Sequence, residues 1–200
     1  MTKLIIATKN PGKVREMVEL LSGLPYEVCT LLDYPNAPDV EETGSTFVEN
    51  AIIKATAYAR FTGELALADD SGLEVDALDG APGVFSSRFA PTESERNERL
   101  LSMMKDVADD RRTARFRCVV AVADPYGDVR TCEGCVEGVI AHEPKGNNGF
   151  GYDPIFYIPD LKKHFAELDS AHKNTISHRG KALTEAKKIL AERLSIDEIR

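Results

Sequence analysis

Two adjacent carboxylates, Asp69 and Asp70, stand at the end of the apolar run Leu65–Ala68 and are followed by Ser71 and Gly72. The apolar run reads as a short buried strand of about four residues. Adjacent acids repel, and burial penalises both unless a cation or hydrogen bonds compensate. Neighbouring strand residues point to opposite faces, so only one of the pair can aim into a given cleft. Taken alone, the segment has two readings. One is a solvated Asp-Asp-Ser turn, acidic turns being common. The other is a carboxylate presented to a hard cation such as Mg2+, with Ser71 and nearby amides facing a ligand. A half-exposed strand, Leu73–Asp76, and the turn Gly80–Gly83 follow.

The chain has 200 residues, enough for a sizeable core in one domain of two closely packed lobes spanning 1–200. Its formal charge of −8 disfavours a surface that tracks nucleic-acid phosphates. A small anion held in a locally basic pocket stays compatible with that charge. No apolar run reaches membrane-span length and no signal-peptide pattern opens the chain, so no membrane role and a cytoplasmic location are expected. Cys29, Cys118, Cys132 and Cys135 are too few and scattered for a disulfide framework. Cys132 and Cys135 lie in an apparent strand, where an odd separation puts the thiols on opposite faces; no second pair completes a zinc site.

The segments around the acidic pair supply context. Leu4–Ala7 reads as a buried strand leading into Thr8, Lys9, Asn10, Pro11, Gly12 and Lys13. Asn10 is a good N-cap and Pro11 suits the first helical position. The first-turn amides, the helix dipole and the Lys13 ammonium would converge on an anion, in a phosphate cradle that is not a Walker loop. Thr46 and Glu49 form a capping-box pattern for a helix over Phe47 to about Phe61. Its Phe47, Ala51 and Ala55 share one face; Lys54 lies on another stripe, near Asn50, and can face a cleft. Glu41 and Glu42, just before this helix, read either as an exposed acidic loop or as the source of a second metal ligand for Asp70.

Further on, a charged helix is expected over Glu93–Val107 and a long antiparallel hairpin over Arg115–Ala123 and Val129–Ile140. Phe150 and Tyr152, separated by Gly151 and followed by Asp153, can sandwich a planar ring and bond its edge, or simply be core aromatics. Ser177 can cap a final helix whose first turn holds His178 and Arg179. Cationic side chains there oppose the helix dipole and suggest ligand binding, or else an exposed basic turn.

Six blocks in order, spread over nearly the whole chain, make the sequence similar to one family. They are Thr8–Lys13, the Glu41–Gly44 and Phe47–Lys54 pair, Ala68–Asp76, Gly80–Gly83, Gly149–Pro154 and Ser177–Leu183. The chain resembles the inosine/xanthosine triphosphate pyrophosphatases, departing at Lys9, where the family commonly has glycine. The resemblance implies an α/β fold: an elongated central mixed β-sheet with flanking helices and two lobes around an active-site cleft. It also implies a homodimer and Mg2+-dependent hydrolysis of ITP, dITP or XTP, purine nucleoside triphosphates, to the monophosphate and pyrophosphate.

On that footing Glu41 and Asp70 are the expected metal ligands, Asp70 also activating the water, with Asp69 as its support. Thr8, Lys9, Asn10, Pro11, Gly12, Lys13, Lys54 and Ser71 would hold the triphosphate. Phe150, Gly151, Tyr152 and Asp153 would meet the purine, and Lys173, His178 and Arg179 phosphate or the base edge. Donors such as Arg179 would donate to the 6-keto oxygen and reject adenine, so Arg179→Ala is expected to cost ITP preference more than stability. The rival readings are a related septum-inhibitor-like pyrophosphatase preferring pyrimidine nucleotides, a non-catalytic nucleotide sensor, and a single-strand-binding module, which the acidic charge opposes.

Overall fold

The computed structural model describes residues 2–197. The chain begins with β1 (Lys3–Ile6), α1 (Pro11–Leu21) and β2 (Glu27–Thr30), followed by α2 (Phe47–Thr62) and β3 (Leu65–Val75). Next come α3 (Glu93–Met103), β4 (Thr113–Ala123) and β5 (Val129–Ile140). Short strands β6 (Phe156–Ile158) and β7 (Lys163–His164) precede α4 (Ser170–Ile176) and α5 (His178–Asp197). One seven-stranded sheet runs in the order β2-β1-β3-β4-β5-β6-β7. β1 is parallel to β2 and to β3, while β6 is antiparallel to β5 and β7. Backbone bonds between Asp124 and Asp128 at one end, and Arg112 and Ile140 at the other, make β4 and β5 the long antiparallel hairpin expected from sequence. The mixed α/β sheet is the one the resemblance implies. Among the described residues no helix is long and apolar enough to cross a membrane.

The chain divides into two compact units, and the division falls within β3, β4 and β5. Unit one comprises Met1–Asp70, Cys118–Gly134 and Arg179–Arg200; unit two comprises Ser71–Arg117 and Cys135–His178. In unit one, Met17 and Leu21 of α1 and Ala182, Leu183, Ala186 and Leu190 of α5 pack on Leu4, Ile6, Leu67, Val120 and Val122. The spacing on both helices is that of one apolar stripe facing a sheet. In unit two the core centres on Phe116, Phe156 and Phe165, with ring centroids 4.6 to 5.8 Å apart, and on Leu100 and Met104.

Local signals place several helix ends. Asn10 Oδ1 accepts from the Gly12 and Lys13 amides with Pro11 in the first turn, and Thr46 and Glu49 close their capping box. Three expectations shift. β3 does not stop before Asp69 but runs on through both acids to Val75, because tertiary cations lower the cost of burying them. The helix expected to reach Val107 ends at Met103, where the Met104 amide closes on Leu100 to Ser102. The segment holding Lys173, assigned no regular structure from sequence, is α4. All four cysteines are free, and among the described residues no group of three or more His, Cys, Asp or Glu is arranged to hold a metal.

Candidate active site

Unit one carries a cluster of carboxylates and cations built on β3, α1, α2 and α5. Alternation along β3 sends the two acids to different partners. Asp69, fully buried, accepts from Lys13 at 3.0 Å and from Arg179 at 3.0 and 3.3 Å. Arg179 also donates to Glu16 at 2.6 Å. Asp70 accepts from Asn50 Nδ2 at 3.0 Å and lies 3.7 Å from Lys54, whose ammonium donates to Glu42 at 2.7 Å. Three cations are therefore set among four carboxylates, an excess of one negative charge among these groups.

The two acids differ electrically. Burial pushes Asp69 up, but Lys13, Arg179 and Lys54 overcome it and hold this carboxyl far below the ordinary range. For Asp70 burial wins: Lys54 and Lys13 pull its pKa down, Glu42 pushes it up, and the balance lies above the ordinary value. Burial alone would discharge Lys54, yet Asp69, Asp70 and Glu42 keep its pKa raised. Asp69 is thus a fixed anion that orients Lys13 and Arg179, whereas the Asp70 carboxyl is held above its ordinary value by burial.

The helix start expected at Asn10 and Pro11 is present and capped. Thr8 Oγ1 accepts the Asn10 amide at 3.2 Å, and the Asn10 side chain covers the Gly12 and Lys13 amides at 2.9 and 3.1 Å. Lys9 pairs with Asp39 on the surface. Of the acidic pair before α2, Glu41 is exposed while Glu42 is the carboxylate tied to Lys54. Sequence reading singled out Glu41 and missed the Glu42–Lys54 pairing, Asn50 as partner of Asp70, and Glu16 as partner of Arg179. Asn50 and Lys54 were legible as helical neighbours; what they reach was not.

Unit two holds the aromatic block. Ser71, the next β3 residue after Asp70, is half-buried and belongs to this unit. Asp153, nearly buried, accepts from the Phe150 amide at 2.9 Å and from Lys173 at 2.5 Å. The Lys173 ammonium lies 5.0 Å above the half-buried Phe150 ring. Gly149 and Gly151 have positive φ (73° and 65°), and a Cβ on Gly149 would come within 2.0 Å of the Asp153 carboxylate. His178 stacks on Phe116 with centroids 4.7 Å apart.

Tyr152 takes the core alternative. It belongs to the unit-two core, and its hydroxyl donates to the Ser86 carbonyl at 2.8 Å. Asn97 holds the neighbouring Gly151 carbonyl at 2.9 Å. Tyr152→Phe is expected to leave the Ser86 carbonyl without this donor and lower stability by about 1–3 kcal/mol. Urea unfolding of that variant measures the bond; an unchanged midpoint would remove it from the turn's support.

Arg179, expected at a base edge, is 1% exposed and engaged by Asp69 and Glu16. That placement reverses the balance expected for Arg179→Ala, since the side chain is the shared counter-ion of two buried carboxylates.

Fold and cluster together define a mixed-sheet α/β protein with a buried carboxylate–cation centre beside a capped helix N-terminus. Residues 4–189 match the Ham1 family, and the chain belongs to that family. It is 58% identical over 191 residues to the dITP/XTP pyrophosphatase of Desulforamulus reducens, covering 94% of this chain and 95% of that one. It is 48% identical over 186 residues to the dITP/XTP pyrophosphatase of Geobacter sulfurreducens, covering 92% and 94%. Among solved structures, a HAM1 protein from Coxiella burnetii superposes with a TM-score of 0.87 at 48% identity, over 96% of this chain and 100% of that one.

Proposed function

We propose that the protein hydrolyses deaminated purine nucleoside triphosphates (dITP, XTP and ITP) to the monophosphate and pyrophosphate, as a Mg2+-dependent cytoplasmic homodimer. Support comes from full-length similarity to relatives named for dITP and XTP, together with one observation on this chain. That observation is Asp70, a buried carboxylate with a raised pKa beside Lys54 and Glu42.

In the reaction, a water oxygen attacks the α-phosphorus, the bond from it to the α–β bridging oxygen breaks, and pyrophosphate departs. The Asp70 carboxylate takes the water's proton. Lys13 and Lys54 offset charge on the phosphates, and Asp69 keeps Lys13 aimed.

The residues fit a hard cation of the Mg2+ type. Such an ion is held by one or two carboxylates, keeps several waters and takes the rest of its oxygens from substrate phosphates. Asp70 and the exposed Glu41 are the proposed ligands, and the negative excess of the cluster favours a cation there. Bound there, the ion would supply charge neutralisation of the phosphates.

The base is assigned to unit two, to Phe150, Asp153 and Lys173. A donor facing the purine 6-position donates to the keto oxygen of hypoxanthine or xanthine. Adenine's 6-amino group would meet it donor to donor and leave both unpaired.

The test is a product assay with Mg2+ on dITP, XTP, ITP, GTP, ATP and dTTP, resolving pyrophosphate from orthophosphate. Pyrophosphate from dITP, XTP and ITP, far exceeding that from ATP, is the expected result. Orthophosphate, equal turnover of ATP, or tight binding without turnover would overturn the reading.

A further inference from the structure

Asn50 lies on α2, fully buried, and both ends of its carboxamide are in use. Oδ1 accepts the Gly44 amide at 2.8 Å, and Nδ2 donates to Asp70 Oδ2 at 3.0 Å. A backbone N–H can only donate, so it selects the amide oxygen and turns the NH2 toward Asp70. The Gly44 segment is itself seated on the first turn of α2. Glu49 accepts the Ser45 amide at 2.7 Å and the Thr46 amide at 3.2 Å. A Cβ at Gly44 would stand 2.6 Å from Glu49 Cβ and 2.7 Å from Asn50 Oδ1, so glycine is required for the contact. One turn along α2, Lys54 holds Glu42 of the same segment. Two neighbouring side chains of one helix therefore grip the acidic loop, and both also reach Asp70.

We infer that Asn50 is a positioning residue that sets Asp70 relative to the Glu41–Gly44 segment, pinning Oδ2 so that the carboxylate meets the reacting water in one orientation. This inference rests on the role proposed above for Asp70. The groups facing Asp70 include Asn50 and Lys54 of α2, Lys13 of α1 and Glu42 of the loop.

Asn50→Asp separates the two halves of the bridge. It keeps an acceptor for the Gly44 amide and exchanges the amide donor to Asp70 for a second carboxyl beside it. The expected result is a kcat lower by roughly 100-fold with KM within threefold, since a small misplacement of a reacting group costs about that much. Hydrogen-exchange protection of the Gly44 amide should persist in this variant and vanish in Asn50→Ala. Combining Asn50→Asp with Asp70→Asn restores a donor–acceptor pair in reversed order. Its melting temperature should therefore recover relative to Asn50→Asp alone, without recovery of activity.

Wild-type kcat in Asn50→Asp overturns the inference. So does loss of Gly44 protection in step with Asn50→Ala, which marks a merely structural amide, and so does a double variant that regains no stability. If Asp70→Asn alone remains active, the proposed function's assignment of Asp70 has failed instead. If Asp70→Asn is inactive while Asn50→Asp is not, this inference alone has failed.

Discussion

Replacing Asp70 with asparagine is expected to lower the rate of pyrophosphate release by about 10²–10⁴-fold and, at the same time, to make the metal-free protein more stable at neutral pH. The first effect follows from losing the proposed proton acceptor. The amide keeps an oxygen for Asn50 to donate to, so the site's shape is preserved. The second follows from the sign of the Asp70 shift. Its folded-state pKa lies above the ordinary 3.8 because burial, reinforced by Glu42, outweighs Lys54 and Lys13. A carboxyl that binds its proton more tightly when folded costs stability when ionised. That cost is absent below the unfolded value and complete above the folded one. In chelator, thermal melts should place Asp70→Asn above the wild type at pH 7, with the gap closing as the pH falls toward about 4. A variant that melts lower at pH 7 would mean that the ionised Asp70 is held in net favourable contacts. A variant that still turns over would remove Asp70 from the chemistry.

Arg179→Ala is expected to have a large structural effect, lowering stability by about 3–5 kcal/mol. The guanidinium is the shared partner of Glu16 and Asp69 and is almost fully buried. Burial lowers its own pKa, yet Asp69 and Glu16 more than reverse that and hold the charge on. Removing it takes a buried cation away from both Asp69 and Glu16. For a chain of this size the melting temperature should fall by roughly 10 °C. The pH dependence has the opposite sense to that of Asp70. A depressed carboxyl pKa contributes stability above the unfolded value and loses it as the pH falls through the folded one. The difference between wild type and variant should therefore be full at neutral pH and narrow only in strong acid. Arg179→Lys should recover part of the loss, because an ammonium restores charge but not the forked geometry. Unchanged melting of Arg179→Ala, with altered discrimination among triphosphates, would return this side chain to the base edge.

Much of the local architecture is written within a few residues of where it forms. Asn10 and Pro11 specify the start of α1, Thr46 and Glu49 that of α2, and alternation specifies the β4–β5 hairpin, because caps and pleats act over four residues or fewer. The apolar stripe of α5 is equally local. The family blocks, taken together, were also enough to point to the Ham1 fold.

What the tertiary structure decided is where charge is compensated. From sequence, Asp69 and Asp70 look like the end of a strand, since two adjacent acids belong in water. The fold instead brings Arg179 from 110 positions away to Asp69, and to Glu16 from 163 away, and β3 continues through the pair. The same rule separates Glu41 from Glu42: adjacent and chemically identical in sequence, they differ because Lys54 reaches only one of them within ion-pairing distance. Tyr152 resolves likewise, its hydroxyl finding a carbonyl 66 residues away. Buried polar and charged groups take their identity from partners that arrive through folding, and neither periodicity nor spacing carries that information.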